Sequence, residues 1–198
     1  MFRSSSGNWK RFACLLSLYI AHSNSLAGEF VTCGDALSRS MLLDMKQRDQ
    51  EIRQEQLIGF REKKWELNHP EMILLINRMI EIDTKNQILL DKIISVCGWP
   101  TSEKFDPDSE KAAILVALHA DKRSKYLPYI EDGFRAKLIS SEWYARFIDA
   151  MLSSEGKPQR YGTRIHMITK EFWPIEEPSE LNKRRVSIGL NQLSDFPN

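Results

Sequence analysis

His119 and Asp121 stand two residues apart at the end of a long apolar run, and side chains of these types can move a proton or grip an anion. Inside a regular helix, positions i and i+2 point about 200° apart, so the two converge only if the helix ends between them. They then form an acid/base couple or an anion clamp. Alternatively, the histidine satisfies the helix's last carbonyls while Asp121 caps a turn. A second polar row lies in "EGKPQRYGT", residues 155–163, where Gln159, Tyr161 and Thr163 alternate behind a glycine turn. Extended backbone puts such a row on one side. It lines a ligand site, or it ties down backbone groups where a helix passes into a turn.

Weaker signals complete the set. Asp49 and Arg53 are spaced i, i+4, ready for an intrahelical ion pair worth tenths of a kcal/mol, on the order of 0.2–0.5. Trp99, in "GWP", is a core plug or the aromatic wall of a pocket. His69, His119 and His166 show no zinc-ligand spacing, so no metal and no cofactor is expected. There is no Gly-rich phosphate loop, and the serine clusters lack the strand–turn–helix context of a nucleophile elbow.

The elements that must hold these residues are mostly helices. From Asp35 to about Leu67, Leu42, Met45, Ile52, Leu57 and Phe60 recur at helical spacing among charges. Pro70 opens a second helix that runs to Gly98 and Pro100. Asp106 caps a third with Pro107 first, and positions 112–118 are apolar all round, which marks it as the most buried. "SKYLPYIEDGFRAKL" suggests a fourth, weakened by Pro128 and Gly133. Ser140 or Ser141 caps a fifth, closed by Gly156. "YGTRIHMI" and "KEFWPI" then flank Thr169 and Lys170 like a small hairpin. A short helix over "SELNKRRVS" follows. The expected fold is mainly α: a single-domain bundle of about five helices, with a β-hairpin and a short helix near the C-terminus.

The first 27 residues read differently. "MFRSSSGNWKRF" is basic, "ACLLSLYIA" supplies about nine apolar residues, and Ser25 and Ala27 suit a signal peptidase. The apolar stretch is short for a membrane span, which needs roughly 20 residues. Residues 1–27 are therefore expected to be a secretory signal peptide and 28–198 the mature domain, exported to periplasm or medium. Without Arg3, Lys10 and Arg11 the 28 basic residues fall to 25 against 27 acidic, a net of −2. That balance argues against nucleic acid, whose binders carry a basic stripe. No later segment is apolar enough to insert in a membrane. Cys33 and Cys97 remain as an even pair in an oxidising compartment, joined or free.

Several motifs in order, "MKQRDQEIR", "IDTKNQILLDKIISVCGWP", "AAILVALHAD", "EGKPQRYGT" and "LNKRRVSIGL", make the chain resemble a bacterial family known as domain of unknown function 6624. The resemblance spans roughly residues 38–195. It maps the family pattern onto Asp49, Gln50, Arg53, Asn86, Gly98, Trp99, Pro100, His119, Asp121, Asp149, Gln159, Tyr161, Gly162 and Thr163. It continues to Arg184 or Arg185, Gly189 and Leu190. The chain departs at Leu118 and Arg164, where the family commonly has glutamine, and at Ala150, where it has arginine. The resemblance implies no activity.

Polar groups from separate segments are most simply explained by their gathering in space. The functional expectation is a binding or interaction module holding an unknown small ligand or protein partner, with Asp49, Arg53, Trp99, Gln159, Tyr161 and Thr163 as ligand contacts. The alternative is a hydrolase without a covalent intermediate. In it His119 is the general acid/base, Asp121 or Asp149 orients it, and Gln159 or Tyr161 polarises the substrate. An envelope scaffold, with its polar groups all mutually satisfied, is the third possibility.

Overall fold

Helix α1, Ala36–Arg61, starts where the Asp35 carboxylate accepts the Ser38 amide at 2.7 Å, an N-cap that satisfies one of the helix's orphan donors. In the computed structural model, which describes residues 32–167, 169–194 and 196, α1 packs against both α2, Pro70–Cys97, and α3, Pro107–His119. The expected signal peptide lies outside the described residues.

α3 is the centre of the core. Its positions Ala112 to Ala117 are all at most 7% exposed, as a helix apolar on every side requires. Asp106 caps it through the Ser109 amide and hydroxyl, at 2.9 and 2.8 Å. α3 also packs on α5, Ser141–Ser154, and α5 packs on α4, Leu127–Arg135. A 3-10 turn at Arg123–Lys125 carries the chain from α3 into α4. Pro128 falls in the first turn of α4, where a missing N–H costs nothing, so the proline starts this helix rather than breaking it. α6, Leu181–Ser187, is the short helix expected near the C-terminus.

The expected hairpin is replaced by two isolated bridges, Ile165 with Phe172 antiparallel and Gln159 with Ile175 parallel; no strand occurs among the described residues. The chain does reverse, with His166 N–H donating to Glu171 O at 2.7 Å and Trp173 N–H to Arg164 O at 3.1 Å. Two features stop a ladder. The amides of Tyr161 and Thr163 donate to a side chain instead of a neighbouring strand. Ile165, Met167 and Trp173 are 38–50% exposed, so the reversal buries no continuous apolar face.

Cys33 and Cys97 are joined, Cα to Cα 5.4 Å, pinning the residues ahead of α1 to the end of α2 across a separation of 64. No described helix is long and apolar enough to cross a membrane.

Closing a loop of that length contributes about 4 kcal/mol in the chain-entropy model. The expected result of reduction, or of the paired change of Cys33 and Cys97 to Ser, is a melting point lower by on the order of 10 °C. An unchanged melting curve in reductant would show that the bridge contributes nothing. Glu110 supplies a second test. It is 5% exposed in the first turn of α3, Oε2 accepts the Ser102 amide at 3.2 Å, and Oε1 has no hydrogen-bond partner. Burial pushes its carboxyl above the ordinary value. A raised folded-state value means the native protein holds this proton more tightly, so the stabilisation is present at low pH and lost as pH rises through it. Glu110→Gln should therefore melt up to a few degrees higher at pH 7. That gain should shrink below about pH 4, where both side chains are neutral.

Candidate functional site

Leu42, Met45 and Ile52 form the buried face of α1, and Asp49 stands in the same register at 0% exposure. A carboxylate placed among apolar neighbours needs charged or hydrogen-bonding partners. Three reach it. His119 Nδ1, on the last residue of α3, lies 2.7 Å from Asp49 Oδ1. Arg53 Nη1, one turn along α1, lies 2.9 Å from the same oxygen. Gln50 Nε2 donates to Oδ2 at 2.6 Å. Arg53 then extends the chain of contacts to α2, where Nη2 lies 3.0 Å from each oxygen of Asp83. Three helices thus meet in one ionic network. Burial pushes the Asp83 carboxyl above its ordinary value even though Arg53 pulls the other way.

An ionised carboxylate only accepts, so in the neutral ring of His119 the Nδ1 carries the proton towards Asp49. Nε2 has no hydrogen-bond partner among the described residues, and the side chain is 22% exposed. A fixed ring with one open nitrogen can take or give a proton, or bind a ligand's polar atom.

Asp121 does not join this pair. It is exposed, and its Oδ1 accepts the Lys122 amide at 2.6 Å. α3 does end between the two residues, with Ala120 extended, yet the histidine's partner comes from α1. The service to α3's last carbonyls, a possible role for the histidine, falls instead to Arg123, whose Nε donates to Leu118 O at 2.6 Å.

The "QRYGT" residues form a separate network around Asp149 of α5, itself 0% exposed. Oδ1 accepts the amides of Arg160 and Tyr161 at 2.7 and 2.8 Å. Oδ2 accepts the amide and hydroxyl of Thr163 at 2.9 and 2.8 Å. Gly162, at φ +70°, supplies the left-handed turn that aims these donors at one carboxylate. Gln159 is equally occupied. Its Nε2 donates to the carbonyls of Arg164 and Trp173, both at 2.9 Å, and its Oε1 accepts the Arg164 amide at 2.7 Å. Tyr161 is buried against Tyr144, and burial pushes its hydroxyl up to about 12. Arg184 and Arg185 donate to the carbonyls of Arg160 and Tyr161, at 2.9 and 2.6 Å, holding the outer side of the loop. Trp99 is buried and stacked on Tyr129, centroids 5.6 Å apart, with Tyr126 tilted beside it.

The structure therefore brings Asp49, Arg53 and His119 together, gathers Asp149, Gln159, Tyr161 and Thr163 elsewhere, and sets Trp99 in an aromatic stack. Sequence reasoning passed over Asp83 and Arg123. Asp83 had a signal: it precedes Asn86 and Leu90 at helical spacing, an acid on the buried face of α2. Arg123 had none, because a connecting turn carries no periodicity. Among the described residues no group of three or more His, Cys, Asp or Glu side chains could hold a metal. Two grooves, of about 630 and 660 Å³, flank Trp65 where α1 and α2 join, and neither is lined by a residue of the Asp49 network.

The fold and its two polar networks define a mainly helical, disulfide-linked protein with one solvent-reaching Asp–His pair. The chain belongs to the family described as "Family of unknown function (DUF6624)", whose pattern matches residues 37–197. No curated protein and no solved structure matches it.

Replacing Asp149 tests the loop network directly. Asp149→Ala leaves three backbone amides and a hydroxyl facing an empty place, and the expected loss is about 3–5 kcal/mol in urea unfolding. Trypsin cleavage after Arg160 should quicken in parallel. A variant as stable and as resistant as the parent would show that the carboxylate does not hold the loop.

Proposed function

We propose that the protein is an exported binding module that holds a small polar ligand or a peptide at the His119–Asp49 pair. The observation that carries this reading is the 2.7 Å contact of Nδ1 with a wholly buried carboxylate, which leaves Nε2 without a protein partner among the described residues. The Arg53–Asp83 pair braces that carboxylate from the other side, so the ring's orientation is set before any ligand arrives. The Cys33–Cys97 bridge and the leader-like residues 1–27 support export, since disulfides persist in oxidising compartments. Asp149, Gln159 and Thr163 are not ligand contacts in this reading, because their hydrogen-bonding groups are engaged with the loop itself.

The same contact favours a second reading, a hydrolase that directs water through His119 as general acid/base. Asp49, rather than Asp121 or Asp149, is then the orienting carboxylate.

A thermal-shift screen of the purified protein against polar metabolites, peptides and sugars, run beside His119→Ala, separates these. A ligand at about 100 times its Kd adds roughly 2.7 kcal/mol, enough to move the melting point by several degrees. The expected outcome is a shift in the parent that is absent in a variant of unchanged fold. Turnover of that ligand by the parent alone would move the assignment to the enzyme. No shift with any compound, together with a variant several degrees less stable, would make the pair purely structural and overturn both readings.

A further inference from the structure

The Asp49 and Asp149 networks leave the join of α1 and α2 unused, and there the two grooves share one half-buried side chain, Trp65. Its indole is held in place locally. The Trp65 amide donates to Gly59 O at 2.9 Å. Gly59 leaves no room for a side chain, since a Cβ there would lie 2.8 Å from Trp65 Cε3. Lys64, a non-glycine residue at φ +54°, makes the left-handed turn that brings the ring back onto α1. His69 stacks on the ring, centroids 5.2 Å apart and planes within 14°. Beneath, the indole packs on Ile52, Met72 and Leu75. A ring fixed in this way and still open to a groove is a preformed aromatic face.

The protein's own side chain shows what that face accepts. Lys63 Nζ sits 4.4 Å from the Trp65 ring centroid, where an ammonium is attracted by the negative face of the ring. Lys63 is exposed and makes no ion pair among the described residues, so the indole is what holds it. The groove of about 630 Å³ that both residues line has an aliphatic wall of Ile58 and Leu74. Most of its other charges are already matched. Arg78 pairs with Glu55 at 3.1 Å across the two helices, and Glu81 pairs with Lys85 at 2.6 Å. Glu71, in the first turn of α2, is different: its carboxylate has no partner among the described residues. An aromatic face, an aliphatic wall and one uncommitted carboxylate complement a short alkyl chain that ends in a cation.

We infer that the Trp65 groove is a second binding site, which takes an alkylammonium group with its cation over the indole. Glu71 supplies the counter-charge, and Lys63 is an internal occupant that the ligand displaces. The inference is independent of the His119 reading, because the groove shares no residue with the Asp49 network. A free aliphatic amine and a lysine side chain of a peptide carry the same chemistry. Because Lys63 competes for the ring, removing it strengthens binding, a result that a merely structural role for Lys63 does not produce.

The test is a titration of the purified protein with n-butylamine and, separately, with Nα-acetyl-lysine amide, at pH 7 and constant ionic strength. The readout is the indole N–H resonance of Trp65, assigned by its absence in Trp65→Phe. Pentanol controls for the alkyl chain without the charge. Lys63→Ala, Glu71→Gln and His119→Ala are titrated alongside, their folding checked by melting curves. The expected result is a saturable shift with at least one ammonium probe and none with pentanol, at probe concentrations up to on the order of 50 mM. Lys63→Ala should bind about threefold more tightly, the weight of an exposed cation–aromatic contact. Glu71→Gln should bind about twofold more weakly, as an exposed charge pair predicts, and His119→Ala should bind as the parent does. A response to the lysine amide alone assigns the groove to peptides, and one to butylamine alone assigns it to free amines. No saturable shift with either ammonium, or an equal shift with pentanol, overturns the inference. Affinity unchanged in both Lys63→Ala and Glu71→Gln overturns it as well. A shift lost in His119→Ala would place the ligand at the other site and overturn this one.

Discussion

A single buried carboxylate sets the arrangement of the three-helix core. Asp49 occupies a position on α1 that its neighbours Leu42, Met45 and Ile52 would fill with hydrocarbon. Left alone there, a charge would cost several kcal/mol, about 3–5 when one partner of a buried pair is removed. The partners that prevent this come from three places: α1 itself through Arg53 and Gln50, the end of α3 through His119, and, through Arg53, α2 at Asp83. Apolar packing alone is tolerant of small slides between helices. A shared carboxylate with directional partners is not, and it fixes where the last turn of α3 stops relative to α1.

Asp149 plays the matching part in the C-terminal half, with a different set of partners. Its oxygens accept from backbone amides and a threonine hydroxyl, with no cation bonded to them among the described residues. That converts the chain after α5 into a tight loop instead of the first arm of a hairpin. Gln159 then closes the loop on both the preceding turn and the Trp173 segment. The two acids are alike in burial and differ in consequence: one leaves a histidine nitrogen open near the surface, the other leaves nothing open.

Much of the architecture was legible because it rests on local rules. The Asp106 cap, Pro70 and Pro107 in first turns, and the all-round apolar run at 112–118 each appear in the folded protein where the sequence placed them. The Asp49–Arg53 pair follows from helical spacing in the same way. Alternation after Gly156 pointed to strands. Alternation reports which side chains share a face, however, and says nothing of whether a second strand or a carboxylate receives the amides. The amides went to Asp149.

The sequence by itself thus determined the helices, the starts set by Pro70 and Asp106, and the burial of the third, because capping, proline placement and apolar period act within a few residues. The first helix, expected to reach about Leu67, ends at Arg61. Tertiary structure alone decided that His119 answers to Asp49, 70 residues earlier, and not to Asp121 beside it. It also decided that Cys33 meets Cys97. Those pairings depend on how helix axes cross and where turns deliver the chain. No spacing along one segment encodes them.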